Sequence, residues 1–312
     1  MWNNFPVIKQ EMAAFEEYLE KKVTSRNSFL KTASREAVLS GGKRLRPAFA
    51  VIAALHGDYD RKRTFPAAAA VEILHAATLV HDDIIDEAKI RRGRMTISEK
   101  HNTNLAVYTG DYLLTRSLRL LLETGLKPEK LEILARSISL LCEGEVEQYL
   151  GKYKIASVYQ YLKRILSKTG ILFSASMILG AKTANLPDDI ARKFGRFGMS
   201  FGAAFQIRDD IKDLLSEQSA EGKPVLNDLK EGIATLPVIM AVKNNPEFLK
   251  EVTDYFGGKG DIKYILQGIR ASNGIEDAEK LKNRYVEKCR AIIKEIPRTQ
   301  YTDALSEIAE WL

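Results

Sequence analysis

The chain has 312 residues, 45% of them apolar and 28% charged, enough to bury a sizeable core and too apolar for a disordered segment. Its 47 basic against 41 acidic residues leave +6, which suits phosphorylated small molecules and is too modest to imply nucleic acid. Cys142 and Cys289 stand far apart without a CxxC partner, against a disulfide framework or a zinc site. No run approaches the roughly 18 apolar residues of a membrane span, so a soluble cytoplasmic protein is expected.

Nearly every segment has helical period. Residues 6–24 place apolar and charged side chains three and four apart, which predicts an amphipathic helix. A Gly41-Gly42 turn follows, and Pro47 is placed to start a helix through His56. Residues 57–64 read as a loop before Pro66, after which the alanine-rich run 67–80 leads into an aspartate motif, Asp82-Asp83-Ile-Ile-Asp86. Residues 90–94 predict a polar turn and Asn102 to Asn104 a break. Helices are expected over 112–122, 128–150, 156–182 with a break at Gly170, and 188–215. A polar loop occupies 216–228, and helices resume over 233–243, 246–256, 261–271, 275–295 and 300–311. No β-branched alternation and no internal repeat is present, so the fold expected is all-α, a single domain over 1–312 with roughly ten or more helices.

The aspartates carry the chemistry. An offset of four brings Asp82 and Asp86 to within about 40° on one helical face, where like charges cost a few tenths of a kcal/mol and ask for a cation. The pattern returns at Asp209-Asp210-Ile-Lys-Asp213, again behind an apolar helical stretch. Oxygen-only clusters suit hard divalent ions, and Mg2+ takes one or two carboxylates and fills its octahedron with water and phosphate oxygens. Asp188-Asp189, with no third aspartate and directly after Pro187, reads instead as charge compensating a helix N-terminus.

Basic residues supply the other half of a diphosphate site. Lys43, Arg44 and Arg46 surround the Gly-Gly turn, and a guanidinium can grip phosphate in a bidentate fork. Arg91 and Arg92 follow the first motif, His75 lies two turns before Asp82 on the same face, and Lys168-Thr169 offers an ammonium and a hydroxyl. Each cluster alone fits a solvated turn or a packed histidine equally well. His81 reads as structural.

Jointly, Gly41-Gly-Lys-Arg-Leu-Arg-Pro47, His81-Asp-Asp-Ile-Ile-Asp86, Arg91-Arg-Gly93, Lys168-Thr-Gly170 and Phe205-Gln-Ile-Arg-Asp-Asp-Ile-Lys-Asp213 resemble the trans-isoprenyl diphosphate synthases, or polyprenyl synthetases. The likeness runs from Gly41 to about Pro237. It implies an isoprenoid-synthase bundle around a central cavity. It also implies a Mg2+-dependent, head-to-tail condensation of isopentenyl diphosphate with an allylic diphosphate. On this resemblance Asp82, Asp86, Asp209 and Asp213 would hold three Mg2+ ions on the allylic diphosphate, the second motif on the wall opposite the first, with Asp83 and Asp210 in support. Isopentenyl diphosphate would meet Lys43, Arg46, His75 and Arg92; the allylic diphosphate would meet Arg91, Lys168, Thr169, Gln206 and Lys223. Ile233 departs from the pattern, standing where many relatives place a lysine.

Product length in such enzymes depends on the helix leading into the first motif. Ala77 and Thr78, five and four residues before Asp82, leave open a path that an aromatic would block, and Leu74 and Val71 stand further down. At 1.5 Å per residue Val71 lies roughly 16 Å below Asp82, room for a chain longer than three isoprene units. The expected product is hexaprenyl to octaprenyl diphosphate for quinone side chains. Geranylgeranyl diphosphate, or the role of catalytic subunit beside an unlike partner, are the alternatives. A class I terpene cyclase fits less well, because the second motif is an aspartate triad and Lys43 and Arg46 offer a second diphosphate site. A His-Asp phosphohydrolase would leave both triads unexplained. The resemblance further suggests a homodimer, with at most transient membrane contact.

Overall fold

The computed structural model describes residues 2–215 and 227–312. Among the described residues are sixteen α-helices, one π-helical turn and one two-stranded hairpin, so the chain is all-α as expected. In order these are α1 (Pro6–Lys22), α2 (Ser28–Leu39), α3 (Leu45–Ala54), α4 (Arg61–Ile85), the hairpin β1 (Ile90–Arg91) and β2 (Arg94–Met95), α5 (Ile97–Lys100), α6 (Thr103–Leu122) and α7 (Pro128–Leu150). Then come α8 (Val158–Ile165), the π-helical turn Leu166–Gly170, α9 (Ile171–Thr183), α10 (Asp188–Leu215), α11 (Asn227–Lys230), α12 (Leu236–Asn244), α13 (Phe248–Phe256), α14 (Ile262–Ala271), α15 (Gly274–Glu295) and α16 (Thr302–Glu310). No helix among the described residues is long and apolar enough to cross a membrane.

Several boundaries move, each for a local reason. Residues 57–64 are not all loop: the Asp60 carboxylate accepts the Lys62 N–H at 2.9 Å, so α4 starts at Arg61 and carries Pro66 inside it. A proline there has no N–H for the Lys62 carbonyl, a loss that burial of the following alanines outweighs. Asn102 caps rather than breaks, accepting the Leu105 N–H at 2.9 Å, and α6 begins at Thr103 instead of 112. Helix α2 is an addition, nucleated by Asn27 accepting the Leu30 N–H at 3.0 Å. The polar turn at 90–94 is a hairpin pairing Ile90 with Met95 and Arg91 with Arg94. Its turn residues Arg92 and Gly93 have φ of 52° and 72°, as a two-residue turn of this hand requires. Gly170 ends no helix: it closes the π-helical turn, which widens the backbone between α8 and α9.

The chain divides into two compact units. The first contains Met1–Ala135, Leu172–Gly198 and Lys294–Leu305. Its centre is α4, whose Ala67 to Ala70 are fully buried. Small side chains let neighbours approach the backbone, and the Ser117 hydroxyl of α6 donates to the Ala70 carbonyl at 2.7 Å. On α9, a Cβ at Gly180 would fall 2.0 Å from the Ala50 carbonyl oxygen, so glycine is what permits this crossing with α3. Phe49, Phe173 and Phe197 pack beside it, with ring centroids 5.3 and 5.9 Å from Phe49. The second unit contains Arg136–Ile171, Met199–Ile293 and Ser306–Leu312. Tyr161, Ile207, Ile211, Leu236, Phe248 and Ile269 belong to its core.

Candidate active site

In the first unit, the helical period decides what each aspartate of the first motif does. Asp83 is turned inward and buried, and the Arg91 guanidinium of the hairpin donates to it at 2.5 Å. Asp82 is half-buried, while Asp86 is exposed and caps α4, its N–H donating to the Asp82 carbonyl at 2.8 Å. Carboxylates at a helix C-terminus meet the negative end of the helix dipole and gain from a cation. His81 approaches Asp111 at 3.4 Å over Gly110, where a Cβ would fall 2.3 Å from the ring.

The hairpin also carries Arg92 back to the Gly-Gly turn. Its guanidinium donates to the Gly41 carbonyl, and a Cβ at Gly42 would lie 3.1 Å from it. Gly41 and Gly42 take φ of 93° and 127°, in the region where glycine is favoured. Arg46 stacks on Phe173 at 4.6 Å, and its buried Nε has no hydrogen-bond partner. Burial brings its guanidinium down to about 10, with Arg92 adding to the shift and Glu72 opposing it; it remains a cation at neutral pH. Burial, then Arg46, Arg92, Arg91 and Arg44, hold His75 well below the ordinary histidine value, so its imidazole is neutral. Crowded cations and an orphaned donor make this pocket complementary to an anion. Lys43 is exposed at its edge in sequence.

Two roles in this region escape sequence reasoning. Arg44, at φ 48°, donates to Glu16 at 2.7 Å and Glu72 at 2.8 Å, fastening the turn to α1 and α4. Glu72, buried on the alanine-rich helix, had only its charge in an apolar run as a signal. A cavity of about 420 Å3 lies between α2, α4 and the hairpin, lined among others by Leu79, Val80, Asp83, Arg91 and Arg92. Of the expected chain-length residues, Val71, Leu74 and Ala77 are buried, and the half-buried Thr78 turns its hydroxyl to the His75 carbonyl at 2.9 Å.

In the second unit the middle aspartate is again the inward one. Asp210 is buried, accepting from the Tyr161 hydroxyl at 2.7 Å and the Gln206 amide at 2.9 Å. Burial, then the Asp228 charge, push its carboxyl up to about 7, against the hydrogen bonds from Gln206 and Tyr161 and the Arg164 charge. Asp209 and Asp213 are half-buried. The Thr169 hydroxyl, in the π-helical turn, donates to the Gln206 side-chain oxygen Oε1 at 2.9 Å, and the Lys168 ammonium lies 2.8 Å from Glu145. Thr169, Gln206, Asp210 and Tyr161 therefore form one hydrogen-bonded network, and Lys168, next to Thr169 in sequence, pairs with Glu145. Tyr161 and Glu145 are additions; the one available signal was Tyr161 two turns before Lys168. Ile233 is buried and its N–H donates to the Asp228 carbonyl at 2.8 Å. Lys223 lies outside the described residues.

The donor set fits Mg2+. In both motifs the outer carboxylates are more exposed than the middle one, and all are oxygen donors. Among the described residues no three His, Cys, Asp or Glu side chains form a ready-made cage. Mg2+ needs none, since it is characteristically held by one or two carboxylates together with substrate phosphates.

The polyprenyl synthetase family model matches residues 27–269. The chain is 37% identical over 312 residues to the heptaprenyl diphosphate synthase component 2 of Geobacillus stearothermophilus, covering 99% of this chain and 97% of that one. It is also 37% identical over 259 residues to the geranylgeranyl diphosphate synthase of Sulfolobus acidocaldarius, covering 77% and 78%. The crystal structure of heptaprenyl diphosphate synthase from Staphylococcus aureus superposes with a TM-score of 0.89 at 33% identity, over 97% and 96% of the two chains. The chain belongs to the polyprenyl synthetase family, prenyltransferases that act on isoprenoid diphosphates and use Mg2+.

Proposed function

We propose that the chain condenses isopentenyl diphosphate with an allylic diphosphate into a trans-polyprenyl diphosphate of hexaprenyl to octaprenyl length. The observation that carries the reaction is the pairing of outward carboxylates with a basic pocket whose buried Arg46 Nε lacks a partner. In this reading Lys43, Arg46, His75 and Arg92 bind isopentenyl diphosphate. Lys168, Thr169, Gln206, Lys223 and Arg91 bind the allylic diphosphate, whose three Mg2+ ions are held by Asp82, Asp86, Asp209 and Asp213. When bound, Mg2+ supplies the Lewis-acid charge that makes diphosphate a leaving group.

The chain's own residues orient the partners. Neutral His75 donates a hydrogen bond to phosphate without the cost of placing a further cation among four arginines. Glu145 holds the Lys168 ammonium in place. Asp83 anchors Arg91, so the hairpin brings a cation beside the departing diphosphate. Groups that bind the separated diphosphate more tightly than the intact ester accelerate ionisation. The allylic cation is then attacked by the double bond of isopentenyl diphosphate, and the released diphosphate accepts the proton. No protein nucleophile is required.

The heptaprenyl and geranylgeranyl relatives are each 37% identical, over 99% and 77% of this chain respectively. Support for the longer product comes from Ala77 and Thr78, where nothing larger than threonine stands. The name component 2 of the Geobacillus relative supports a second reading, in which this chain is the catalytic subunit beside an unlike partner. Purified chain would be incubated with radiolabelled isopentenyl diphosphate, farnesyl diphosphate and Mg2+, and products resolved by length. Long products that vanish with EDTA and in Asp82→Ala support the stand-alone synthase. No incorporation from any allylic primer by folded protein overturns it in favour of the two-subunit reading.

A further inference from the structure

Beside Asp209 lies an arrangement that the diphosphate chemistry does not explain. Arg208 is 6% exposed. Its guanidinium lies 3.5 Å from the centroid of the Trp311 ring and donates through Nη1 to the Trp311 backbone carbonyl at 2.9 Å. Phe205, one helical turn earlier on α10, faces the same guanidinium at 5.4 Å and the Trp311 ring at 6.1 Å. The second terminal nitrogen, Nη2, is 3.7 Å from Asp209 Oδ1, while Nε is buried without a hydrogen-bond partner.

Burying a guanidinium with an unsatisfied N–H is unfavourable, and burial does lower its pKa. A surface ion pair would not need such a housing. What the housing achieves is to fix the fork: the Trp311 ring sets the plane, the Trp311 carbonyl sets the rotation, and Nη2 is left directed at the carboxylate. In the first motif the neighbouring arginine, Arg91, engages the middle aspartate. Here the arginine stands 3.7 Å from the first one, assigned above as a metal ligand.

We infer that Arg208 is a positioning residue that presets the Asp209 carboxylate for Mg2+, and that Trp311 acts through it. This rests on the proposed role of Asp209. Groups behind a metal ligand commonly change metal affinity by about 10- to 100-fold when removed. Loss of the stack in Trp311→Ala, or of the fork in Arg208→Lys, weakens metal binding by about tenfold. Trp311→Phe, which retains a ring for the guanidinium, restores it to within about twofold.

The test uses the full chain with inorganic pyrophosphate and Mn2+ as a spectroscopic stand-in for Mg2+. Free Mn2+ is read by electron paramagnetic resonance, and the Mg2+ concentration for half-maximal turnover is measured in parallel. Asp209→Ala is the control: unchanged Mn2+ binding in it would remove the metal-ligand reading itself. With that control weakened, about tenfold weaker Mn2+ in Trp311→Ala and Arg208→Lys, with rescue by Trp311→Phe, supports the proposal. Unchanged Mn2+ affinity in either folded variant overturns it, as does tighter binding in Arg208→Gln, the sign expected if the arginine only screens Asp209. Should Trp311→Ala not fold, Arg208→Lys alone decides by the same criterion.

Discussion

Replacing Asp210 by asparagine tests whether the middle aspartate of the second motif is a buried acid. Its carboxyl is pushed from 3.8 up to about 7, chiefly by burial, while the unfolded chain ionises near the ordinary value. Between pH 4 and 7 the native state therefore keeps a proton that the unfolded state releases. Stability falls as pH rises through that window, and the cost is complete above about pH 7. Roughly three pH units at 1.36 kcal/mol each make that cost about 4 kcal/mol at full ionisation. Asparagine has the shape of the carboxyl and can still accept from Tyr161, so it removes the charge at the expense of the hydrogen bond from the Gln206 amide. Urea unfolding of metal-free protein at pH 4.5 and 8.5 measures the difference. The advantage of Asp210→Asn over the parent is expected to be at most about 1 kcal/mol at pH 4.5 and to grow to at most about 4 kcal/mol at pH 8.5. An equal difference at both pH values would refute the buried-acid argument.

Three further outcomes follow from the first unit. Ala77→Phe puts an aromatic two turns or less from the first motif, and radiolabelled products should shorten toward farnesyl diphosphate; an unchanged distribution would remove Ala77 from the product path. Gly180→Ala sets a Cβ 2.0 Å from the Ala50 carbonyl and forces α9 from α3, costing about 1–3 kcal/mol, so an unshifted urea midpoint would contradict the crossing. His75 is depressed in the folded state, so the unfolded chain takes up its proton first as pH falls below about 6.5, and the stability the neutral ring carries is lost there. His75→Gln should flatten the stability profile between pH 7 and 5, and parallel profiles for variant and parent would count against the buried neutral ring.

Helix α10 was legible to the residue over 188–215 because its apolar spacing and terminal acids agree with its packing. Asn102 was not, because asparagine both interrupts and caps helices, and only the Leu105 N–H it accepts decides between them. Both aspartate motifs were readable as pattern, since a four-residue offset repeats a helical face. Their inner partners were not: Tyr161 and Glu145 meet the motif residues across 49 and 23 positions of chain, which spacing on one helix cannot report. Arg44 and Arg46, two residues apart in one basic run, divide into a fastener and a buried cation only because φ 48° at Arg44 turns it toward Glu16 and Glu72.

Two motifs of the same form are thus held by opposite means. Asp83 is buried against a cation, the Arg91 guanidinium at 2.5 Å, whereas Asp210 is hydrogen-bonded to two neutral donors, with the Asp228 carboxylate acting on it more strongly than the Arg164 cation. A buried charge pair loses stability when one partner is removed, because the other is left uncompensated, while a buried carboxyl with no cation bonded to it gains when its charge is removed. The same change at the same motif position must then act in opposite directions. At pH 8.5 Asp83→Asn lowers the melting temperature and loosens the hairpin, and Asp210→Asn raises it. Shifts of one sign in both variants, measured by thermal unfolding at that pH, would mean that the two middle aspartates share an environment after all.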